Sequence, residues 1–555
     1  MSSSLVKAQL HNSYVPPMHI PLSPSSSFAE LRPHHLHSGV DFRTNGKEGE
    51  PVYAVANGYI ARIVVRPNGY GRALYIIHGN GTMSVYAHLQ SFAPQVEAWV
   101  KNQQYQKKEF FLDREPDSSV FKVKQDELIG LSGNSGRSFG AHLHFEIRDK
   151  WQVPFNIISR KIYSIKDNIP PFANRLFIYR LDSIGNTVVS THDKTLSIRG
   201  RGKRLQLTDT IMLNGPTYFG LDMQDRINGS SSRMGVYSAE MFVNDQLYFA
   251  LSLDKVSFDE ARYANAFMDC NELQKTGCYV SKLYLAPGNR LGVYSEARNR
   301  GVVELPVNSC AKISIVLTDD TGNTSTLNFW VKTPTKAAPS ARQSATKRLA
   351  YWATSNVLSV DGCSINIPFG ALYESCLIEL QKLAPVKDAL SSVYRTKTMA
   401  APPHKAISVS IKNNKVPAPL IPKTVLVRMD NKGKIEAQKV HYKAPYFTAD
   451  ARSWGDFFLM VDTVAPAITP VNFAPYTAHK SKRVTLKAVD ALSGLKTYNG
   501  YVDDRWVLFE YDEKYDLMYY DIDESRTKTG TQHTLRFIAT DAVDNKAEVS
   551  WNLTF

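Results

Sequence analysis

Apolar and polar residues alternate in short stretches along most of this chain, which is the pattern of β-strands whose two faces differ in environment. Beyond residue 168 these stretches follow one another without a strong helical pattern. One amphipathic helix is predicted inside an insertion at residues 92–123, where Val96, Trp99 and Val100 follow helical spacing. We therefore expect a mainly β protein with one small helical insertion that supports its first domain.

The stretch HLHFEIR, residues 142–148, places two histidines one residue apart on a predicted strand. Successive side chains of a strand point to opposite faces, so His142 and His144 share a face with Glu146. The alternate residues are apolar and are expected in the core, which leaves the histidine face displayed. The histidine pair alone could be coincidental, a pH-sensitive patch or part of a metal site, and Glu146 could orient a ligand ring or be a surface carboxylate.

Further candidate ligands lie in RPHHLHSGVDF, where His37 precedes Asp41 by four residues. A straight strand would hold these two side chains about 13 Å apart, too far to share one ion. A bend at Ser38 and Gly39 could bring them together before VDF enters a strand. Because histidine nitrogen and aspartate oxygen are common zinc ligands, we expect a three-ligand site completed by one histidine of the HxH pair.

Three other histidines bear on this set. His34 and His35 are rival ligands, although neither has a carboxylate four residues later, and both could instead be exposed loop residues. His88, in MSVYAHLQSF, lies on another alternating stretch and shares its predicted face with Tyr86. A single strand histidine is usually structural, but here it is the third element of a set.

In order along the chain, these motifs resemble the lysostaphin/LytM-type zinc endopeptidases, metallopeptidase family 23. The family pattern is HxxxD, then a histidine in a Y-x-H-L-like context, then a glycine-rich loop that opens into HLHFE. This chain shows HSGVDF, YAHL and SGNSGRSFGAHLHFEIR. It departs from the pattern at Ala141, where proline usually precedes the first histidine, but that residue is not a ligand. The resemblance covers roughly residues 12–160.

The resemblance implies one zinc ion per chain with His37, Asp41 and His144 as ligands. It implies that His88 and His142 form the pair that handles protons and stabilises the oxyanion. The implied reaction is cleavage of the cross-bridges or stem peptides of bacterial peptidoglycan by a zinc-activated water, in the periplasm or cell envelope. Two alternatives stay open: a non-catalytic activator or scaffold of other wall hydrolases, and an envelope adhesin or assembly protein with a vestigial peptidase domain.

The chain divides by pattern into six segments. They are an N-terminal segment (1–27), a LytM/lysostaphin-like antiparallel peptidase domain (28–165), an Ig-like β-sandwich (166–335), a polar linker (336–347), an all-β module (348–462) and a second Ig-like β-sandwich (463–555). The two Ig-like modules look like copies, because GVYSAEMFVNDQLYF and GLKTYNGYVDDRWVLF reach a similar V-[ND]-D turn. The all-β module between them resembles a ZU5-like sandwich. Such modules position an enzyme or bind a partner, here an envelope protein.

Composition and charge limit the kinds of molecule that the protein is expected to bind. The formal net charge of +14 favours an anionic partner such as a wall polymer, and no nucleic-acid-binding motif accompanies it. No run of about 18 apolar residues occurs, so no transmembrane segment is expected. The first residues have no signal-peptide core, so export would require a signal that this sequence does not show.

Two features leave alternatives open. Cys270 with Cys278, or Cys363 with Cys376, could form disulfides in an oxidising compartment, while Cys310 makes the count odd. Four aspartates in the predicted turns of the two Ig-like copies could bind calcium, or could serve only as turn formers: Asp319, Asp320, Asp541 and Asp544.

Overall fold

The computed structural model describes residues 14–184, 187–200, 202–207, 209–336, 347–474, 479 and 481–555. The fold is mainly β, as the sequence predicts. The N-terminal domain, for which the sequence resemblance predicts a peptidase fold and which we call the peptidase domain, is followed by β modules. Within these residues, no helix combines the length and the apolar character needed to cross a membrane. Most of the predicted linker, together with residues 1–13, lies outside the described residues.

The peptidase domain has one large antiparallel sheet in the order β1-β4-β13-β8-β7-β6-β10, and a smaller sheet in the order β5-β12-β9. Its apolar core includes alternate residues of β4 and β13, among them Phe42 and Phe145. The elements are β1 (Pro24–Ser26), β2 (Leu31–Arg32), β3 (His35–Leu36), β4 (Val40–Arg43), β5 (Pro51–Tyr53), β6 (Gly58–Val65), β7 (Arg72–His78), β8 (Met83–Ala87), β9 (Leu89–Phe92), α1 (Pro94–Lys107), β10 (Leu112–Arg114), β11 (Lys122–Val123), β12 (Leu128–Ser132), β13 (His142–Arg148) and β14 (Pro154–Phe155).

The residues before Phe28 belong to this domain as far as they are described. Strand β1 pairs with β4, and Tyr14 and Met18 are buried in the domain core. The sequence predicts a separate N-terminal segment for residues 1–27. The predicted helix is present as α1, with Val96 and Val100 buried.

The second unit has two sheets, in the orders β16-β15-β19-β22 and β17-β25-β24-β20-β21-β23. Two short helices, α2 and α3, occur where the sequence shows no helical pattern. Helix α3 is bounded by local signals: the Asp269 side chain caps its first turn, and Gly277 follows its last residue. The elements are β15 (Phe172–Ile184), β16 (Thr187–Ser197), β17 (Arg204–Gln206), β18 (Ile211–Met212), β19 (Thr217–Gln224), β20 (Ser238–Val243), β21 (Gln246–Ser252), α2 (Ala264–Phe267), α3 (Cys270–Thr276), β22 (Ser281–Lys282), β23 (Tyr294–Ala297), β24 (Cys310–Thr318) and β25 (Thr324–Lys332).

The second unit and the peptidase domain share one continuous apolar core, which runs from Tyr14 to Val331 in sequence. The joint adds polar contacts, including the Arg160–Asp254 ion pair with an N–O distance of 2.6 Å. The two units are therefore packed as one body, although the sequence predicts two separable modules.

The third and fourth units each enclose their own core between two sheets. The third contains β26 (Arg348–Ala350), β27 (Asn356–Val360), β28 (Cys363–Ile367), β29 (Cys376–Leu383), β30 (Val393–Thr398), β31 (Ile407–Lys412), β32 (Thr424–Met429), β33 (Ile435–Lys439), β34 (His441–Lys443), β35 (Tyr446–Ala451) and β36 (Asp456–Val461). The fourth contains β37 (Ala467–Pro470), β38 (Arg483–Val489), β39 (Leu495–Val502), β40 (Arg505–Val507), β41 (Glu510–Asp512), β42 (Leu517–Asp521), β43 (Gln532–Asp541) and β44 (Lys546–Thr554).

The internal repeat seen in the sequence is present in the structure. The strand order β25-β24-β20-β21 in the second unit matches β44-β43-β39-β40 in the fourth. Both copies turn through two residues with positive φ, Asn244-Asp245 and Asp503-Asp504, which is the backbone of a tight hairpin. All five cysteines are free thiols, so neither candidate disulfide is formed.

Candidate active site

The pairing of β4 with β13 brings two predicted ligands together. In this antiparallel register Asp41 lies directly opposite His144, so their side chains project from the same face of the sheet. The Nδ1 atom of His144 lies 2.9 Å from Oδ1 of Asp41. Both side chains are buried, so this part of the strand face is covered rather than displayed.

His37 joins the pair through the bend that the sequence predicts at Ser38 and Gly39. Its Nε2 atom lies 3.1 Å from Oδ1 of Asp41 and 3.0 Å from Nδ1 of His144. A Cβ atom on Gly39 would lie 2.5 Å from the Phe145 carbonyl oxygen, so only glycine lets the bend approach β13 this closely. Three donor atoms therefore converge on one point that could hold a metal ion.

The two ligand rings are oriented by hydrogen bonds on their far sides. The Nδ1 atom of His37 lies 2.8 Å from the carbonyl oxygen of Ser27, and Nε2 of His144 lies 2.8 Å from Oε1 of Glu146. Each bond favours a proton on the outer nitrogen, so the inner nitrogen is the one that would offer its lone pair to a metal ion. Glu146 is thus a buried orienting group and not a surface carboxylate.

Glu146 is held as an anion by three groups. Arg148 donates from Nε at 2.6 Å, Ser38 donates from Oγ at 2.7 Å, and the Tyr70 hydroxyl also donates. Burial opposes ionisation, but the Arg148 guanidinium and His144 hold the pKa of Glu146 well below its usual range. This negative charge favours a cation at the neighbouring donor atoms.

Asp41 is likewise kept ionised in the centre of the group. Its burial would raise the pKa, but His37 and His144 hold the pKa of Asp41 well below its ordinary value. Burial lowers the pKa of His144, yet its bonds to the Asp41 and Glu146 carboxylates raise that pKa to about 9. The protein around this point therefore stabilises positive charge.

His142 and His88 lie beside the group and are held by backbone carbonyls. The Nδ1 atom of His142 lies 2.8 Å from the Gly140 oxygen, and Nδ1 of His88 lies 2.8 Å from the Ser135 oxygen. The ring centroids of the two histidines are 4.8 Å apart. With the proton fixed on Nδ1, each ring keeps Nε2 as a proton acceptor, and Nε2 of His142 lies 3.6 Å from Oδ1 of Asp41.

Both of these histidines are held in the neutral form. Burial, followed by the nearby His144 and His142 rings, lowers the pKa of His88 to about 3. Burial also lowers the pKa of His142, against the opposing effect of the Asp41 carboxylate. Each neutral imidazole keeps its Nε2 lone pair available beside the converging donor atoms, although a pKa of about 3 makes His88 a weak base.

The structure corrects the predicted alternation around His88. Strand β8 ends at Ala87, and His88 takes a left-handed backbone with φ of 59°, a strained conformation found at functional sites. As a result Tyr86 and Leu89 both face the core, while the His88 ring turns toward His142. A period-two pattern cannot reveal a single left-handed residue.

The rival ligands His34 and His35 do not reach the site. Both are exposed, with Nδ1 of His34 3.1 Å from Oδ1 of Asn265 in the second unit and Nδ1 of His35 3.0 Å from the Pro33 oxygen. Sequence reasoning also missed Ser27 and Tyr70, which support the site from outside the motifs. No spacing signal marks either residue, since each acts through one carbonyl or hydroxyl.

The fourth unit contacts the loop that holds His88. The Lys514 ammonium donates to the Asn134 carbonyl oxygen, one residue before Ser135. Nearby, the Arg72 guanidinium pairs with the Glu510 carboxylate at an N–O distance of 2.7 Å. Burial lowers the pKa of Arg72, but the Glu510 and Glu97 carboxylates outweigh it and raise the pKa above its usual range. These contacts place the C-terminal module against the rim of the candidate active site.

Comparison with known proteins identifies two domains. Residues 35–105 match peptidase family M23, and residues 347–462 match the Zu5-like domain. The first match covers His37, Asp41 and His88 and ends before the HxH strand.

Three relatives extend the comparison. The DD-carboxypeptidase/endopeptidase Mpg of Neisseria meningitidis serogroup B is 36% identical over 124 residues, which is 22% of each chain. The peptidoglycan DD-endopeptidase ShyA of Vibrio cholerae serotype O1 is 31% identical over 153 residues, 26% of this chain and 27% of that protein. The lipoprotein NlpD of Yersinia enterocolitica is 30% identical over 105 residues, 19% of this chain and 84% of that protein.

The class defined by the fold and the site is a metallopeptidase. Through its N-terminal domain the chain belongs to peptidase family M23. The match spans about a fifth of the length of the Neisseria relative, so the likeness concerns part of each protein and not the whole.

Proposed function

We propose that the N-terminal domain is a zinc-dependent endopeptidase that cleaves peptide bonds in bacterial peptidoglycan. The observation that carries this proposal is the convergence of Nε2 of His37, Oδ1 of Asp41 and Nδ1 of His144 within 3.1 Å of one another. Two nitrogens and one carboxylate oxygen are a donor set typical of catalytic zinc, and three protein ligands leave a position for water or substrate.

The residues fit zinc in their orientation as well as in their chemistry. Both ligand nitrogens face inward because Ser27 and Glu146 bind the outer nitrogens of the two rings. His37, Asp41 and His144 would hold the ion. A bound zinc ion would lower the pKa of a water molecule to about 7 and polarise the scissile carbonyl.

His142 and His88 supply the proton transfers in this proposal. Their Nε2 atoms are free to accept the proton released when water attacks the peptide carbonyl, because both Nδ1 protons are committed to backbone carbonyls. Once protonated, either ring is a donor to the oxyanion and then to the leaving amine. Asp41, 3.6 Å from Nε2 of His142, stabilises the protonated form of that ring.

The substrate class rests on the named activities of the relatives. Mpg is named a DD-carboxypeptidase/endopeptidase and ShyA a peptidoglycan DD-endopeptidase, and they are similar to 22% and 26% of this chain. The net charge of +14 suits an anionic wall polymer. An envelope location follows from such a substrate, and the β modules, including the two Ig-like copies, would position the enzyme or bind an envelope protein.

A digest of purified peptidoglycan tests the proposal. The zinc-loaded full-length protein should release peptides whose masses, read by mass spectrometry, identify the bond cleaved. His144→Ala should release none, while His35→Ala, a histidine exposed outside the site, should match wild type. If wild type is inactive on walls of several cross-bridge types while still binding zinc, a non-catalytic activator or scaffold becomes the better interpretation.

A further inference from the structure

A second cluster of carboxylates lies at the joint between the peptidase domain and the second unit. Carboxylate oxygens of Asp167, Asp225 and Asp319 all lie within 4.8 Å of one another. Asp167, Asp225 and Asp320 line one small cavity, whose other wall includes Ser27 of the peptidase domain. Asp225 and Asp319 are 3% and 1% exposed, so little water screens their charges.

One oxygen atom of these carboxylates lacks a partner within the described residues. Oδ1 of Asp225 is buried and accepts no hydrogen bond from any group in the described part of the chain. A buried, unpaired carboxylate oxygen is costly, and such groups are usually paired with a cation or coordinate a metal. Burial and the neighbouring carboxylates raise the pKa of Asp225 to about 9, and burial raises that of Asp320 to about 7. Without a cation Asp225 is therefore expected to hold a proton at neutral pH, which a bound cation would displace.

The fourth unit repeats the arrangement in a satisfied form. The three carboxylates there occupy equivalent positions: at the junction before the unit, directly after a strand, and at the start of the last hairpin turn (Asp462, Asp490 and Asp541). There Oδ1 of Asp490, the counterpart of Asp225, accepts from the backbone nitrogens of Gly494 and Leu492 at 2.6 and 3.1 Å. The position of Asp320 is taken by Ala542. The cavity at the joint thus has a further carboxylate, Asp320, and Oδ1 of Asp225 lacks the two backbone donors that Oδ1 of Asp490 has.

We propose that Asp167, Asp225 and Asp319 bind a divalent cation, with the Asp320 carboxylate adding negative charge from the same cavity, and that this cation is Ca²⁺. The donors are all hard oxygens, without the nitrogen or sulfur ligands that favour zinc. Ligand oxygens around Ca²⁺ lie about 2.3–2.6 Å from the ion, so a group spread over 4.8 Å fits around one ion. This site is separate from the His37, Asp41 and His144 group.

The position of the site gives the cation a structural role. Ser27 lines the cavity, its Oγ accepts from the Gly235 nitrogen of the second unit at 2.7 Å, and its carbonyl oxygen binds the His37 ring. A cation here would tie the second unit to the segment that orients His37. Binding itself does not depend on the proposed peptidase function.

Calcium titration of the full-length, zinc-loaded chain tests this inference. We expect wild type to bind Ca²⁺ at this site, to gain thermal stability on binding, and to bind Mg²⁺ more weakly. Asp225→Asn should weaken Ca²⁺ binding at least about tenfold, because affinity follows the number of charged ligands. Asp490→Asn, the matched change in the satisfied cluster, should leave both binding and the stability gain unchanged. Calorimetry and the unfolding temperature measure these effects.

A crossover distinguishes a ligand from a residue that merely supports the fold. Without Ca²⁺, Asp225→Asn should unfold at the same or a higher temperature than wild type, since a neutral amide replaces a buried carboxyl group whose ionisation is unfavourable there. With Ca²⁺ it should unfold at a lower one, and Asp320→Asn should behave likewise. The inference is overturned if wild type binds no Ca²⁺, if Mg²⁺ binds equally well, if Asp490→Asn causes the same loss, or if Asp225→Asn lowers the unfolding temperature equally with and without Ca²⁺.

Discussion

The five candidate site residues divide into two halves that the fold supports in different ways. The ligand half, His37, Asp41 and His144, is fixed by the pairing of β4 with β13 and by buried groups behind the rings. The proton half, His88 and His142, is held by carbonyl oxygens of the loop that precedes β13. The first half depends on the sheet, whereas the second depends on a loop.

The two halves also touch different parts of the molecule. Behind the ligand half, Ser27 connects to the second unit through Gly235, within the shared core. Beside the proton half, the Asn134 carbonyl oxygen accepts a hydrogen bond from the Lys514 ammonium of the fourth unit. The comparison indicates that metal binding and proton transfer can be changed separately, which the following variants test.

The largest effect is expected from the ligands themselves. His37→Ala, Asp41→Ala and His144→Ala should each lose zinc and all hydrolysis, because three protein ligands leave no spare. The loss of zinc affinity should exceed the about 10–100-fold that follows loss of an orienting partner. Zinc content by elemental analysis measures this, with His34→Ala as a control. Full zinc occupancy in all three variants would show that the ligand half is wrongly assigned.

The proton half should respond in the opposite way. His88→Ala and His142→Ala should keep zinc, because neither ring is needed to hold it, yet each should lose at least about 100-fold in peptide cleavage. Steady-state kinetics together with zinc content separate the two effects. Loss of zinc in His142→Ala, with retention in His144→Ala, would reverse the roles of the HxH pair.

Glu146 tests whether the support behind the ligand half matters. Glu146→Gln removes the charge that Arg148 and His144 stabilise, so zinc affinity should fall about 10–100-fold while the remaining zinc-loaded enzyme stays active. Asp456→Asn is a matched control, since Asp456 is also buried against an arginine, Arg395, but lies in the third unit. An equal loss of zinc affinity in both variants would assign the effect to general destabilisation.

The sequence predicts the parts of the site that depend on spacing. Strand alternation in HLHFEIR and the HxxxD motif are local signals, and the structure brings their histidines and aspartate together. The sequence does not predict the left-handed backbone at His88, because a single dihedral angle leaves no periodic pattern. It does not predict the hydrogen bond between the His37 ring and the Ser27 carbonyl, because a backbone oxygen is not marked by any side chain.

The domain architecture shows the same limit. Alternation indicates β units and the internal repeat, both of which the structure contains. It cannot show that the peptidase domain and the second unit share one core, because both sides of a buried joint look like ordinary core positions. The turn residue Asp319 was a calcium candidate from sequence, but Asp167 and Asp225, which are far from it along the chain, join it only through the fold. Asp544, another candidate, pairs with Lys496 instead.

The smallest effect is expected from the contact between the fourth unit and the proton half. The Lys514 side chain is only 12% exposed and donates to Asn134, but the same loop is also fixed internally, since Oγ of Ser135 donates to the Leu89 carbonyl at 2.8 Å. Losing the lysine should therefore shift His88 slightly without releasing it.

Lys514→Met, which keeps the length of the side chain, should lower kcat by about 2–10-fold, well below the effect of losing His88 itself. Zinc content should stay the same, because the ligand half has no contact with Lys514. Lys482→Met is the control in the same unit, since the Lys482 side chain is 94% exposed. If kcat in Lys514→Met equals that of the control, the fourth unit does not position the proton half. If zinc content falls in step with kcat, the two halves are coupled, and metal binding and proton transfer cannot be changed separately.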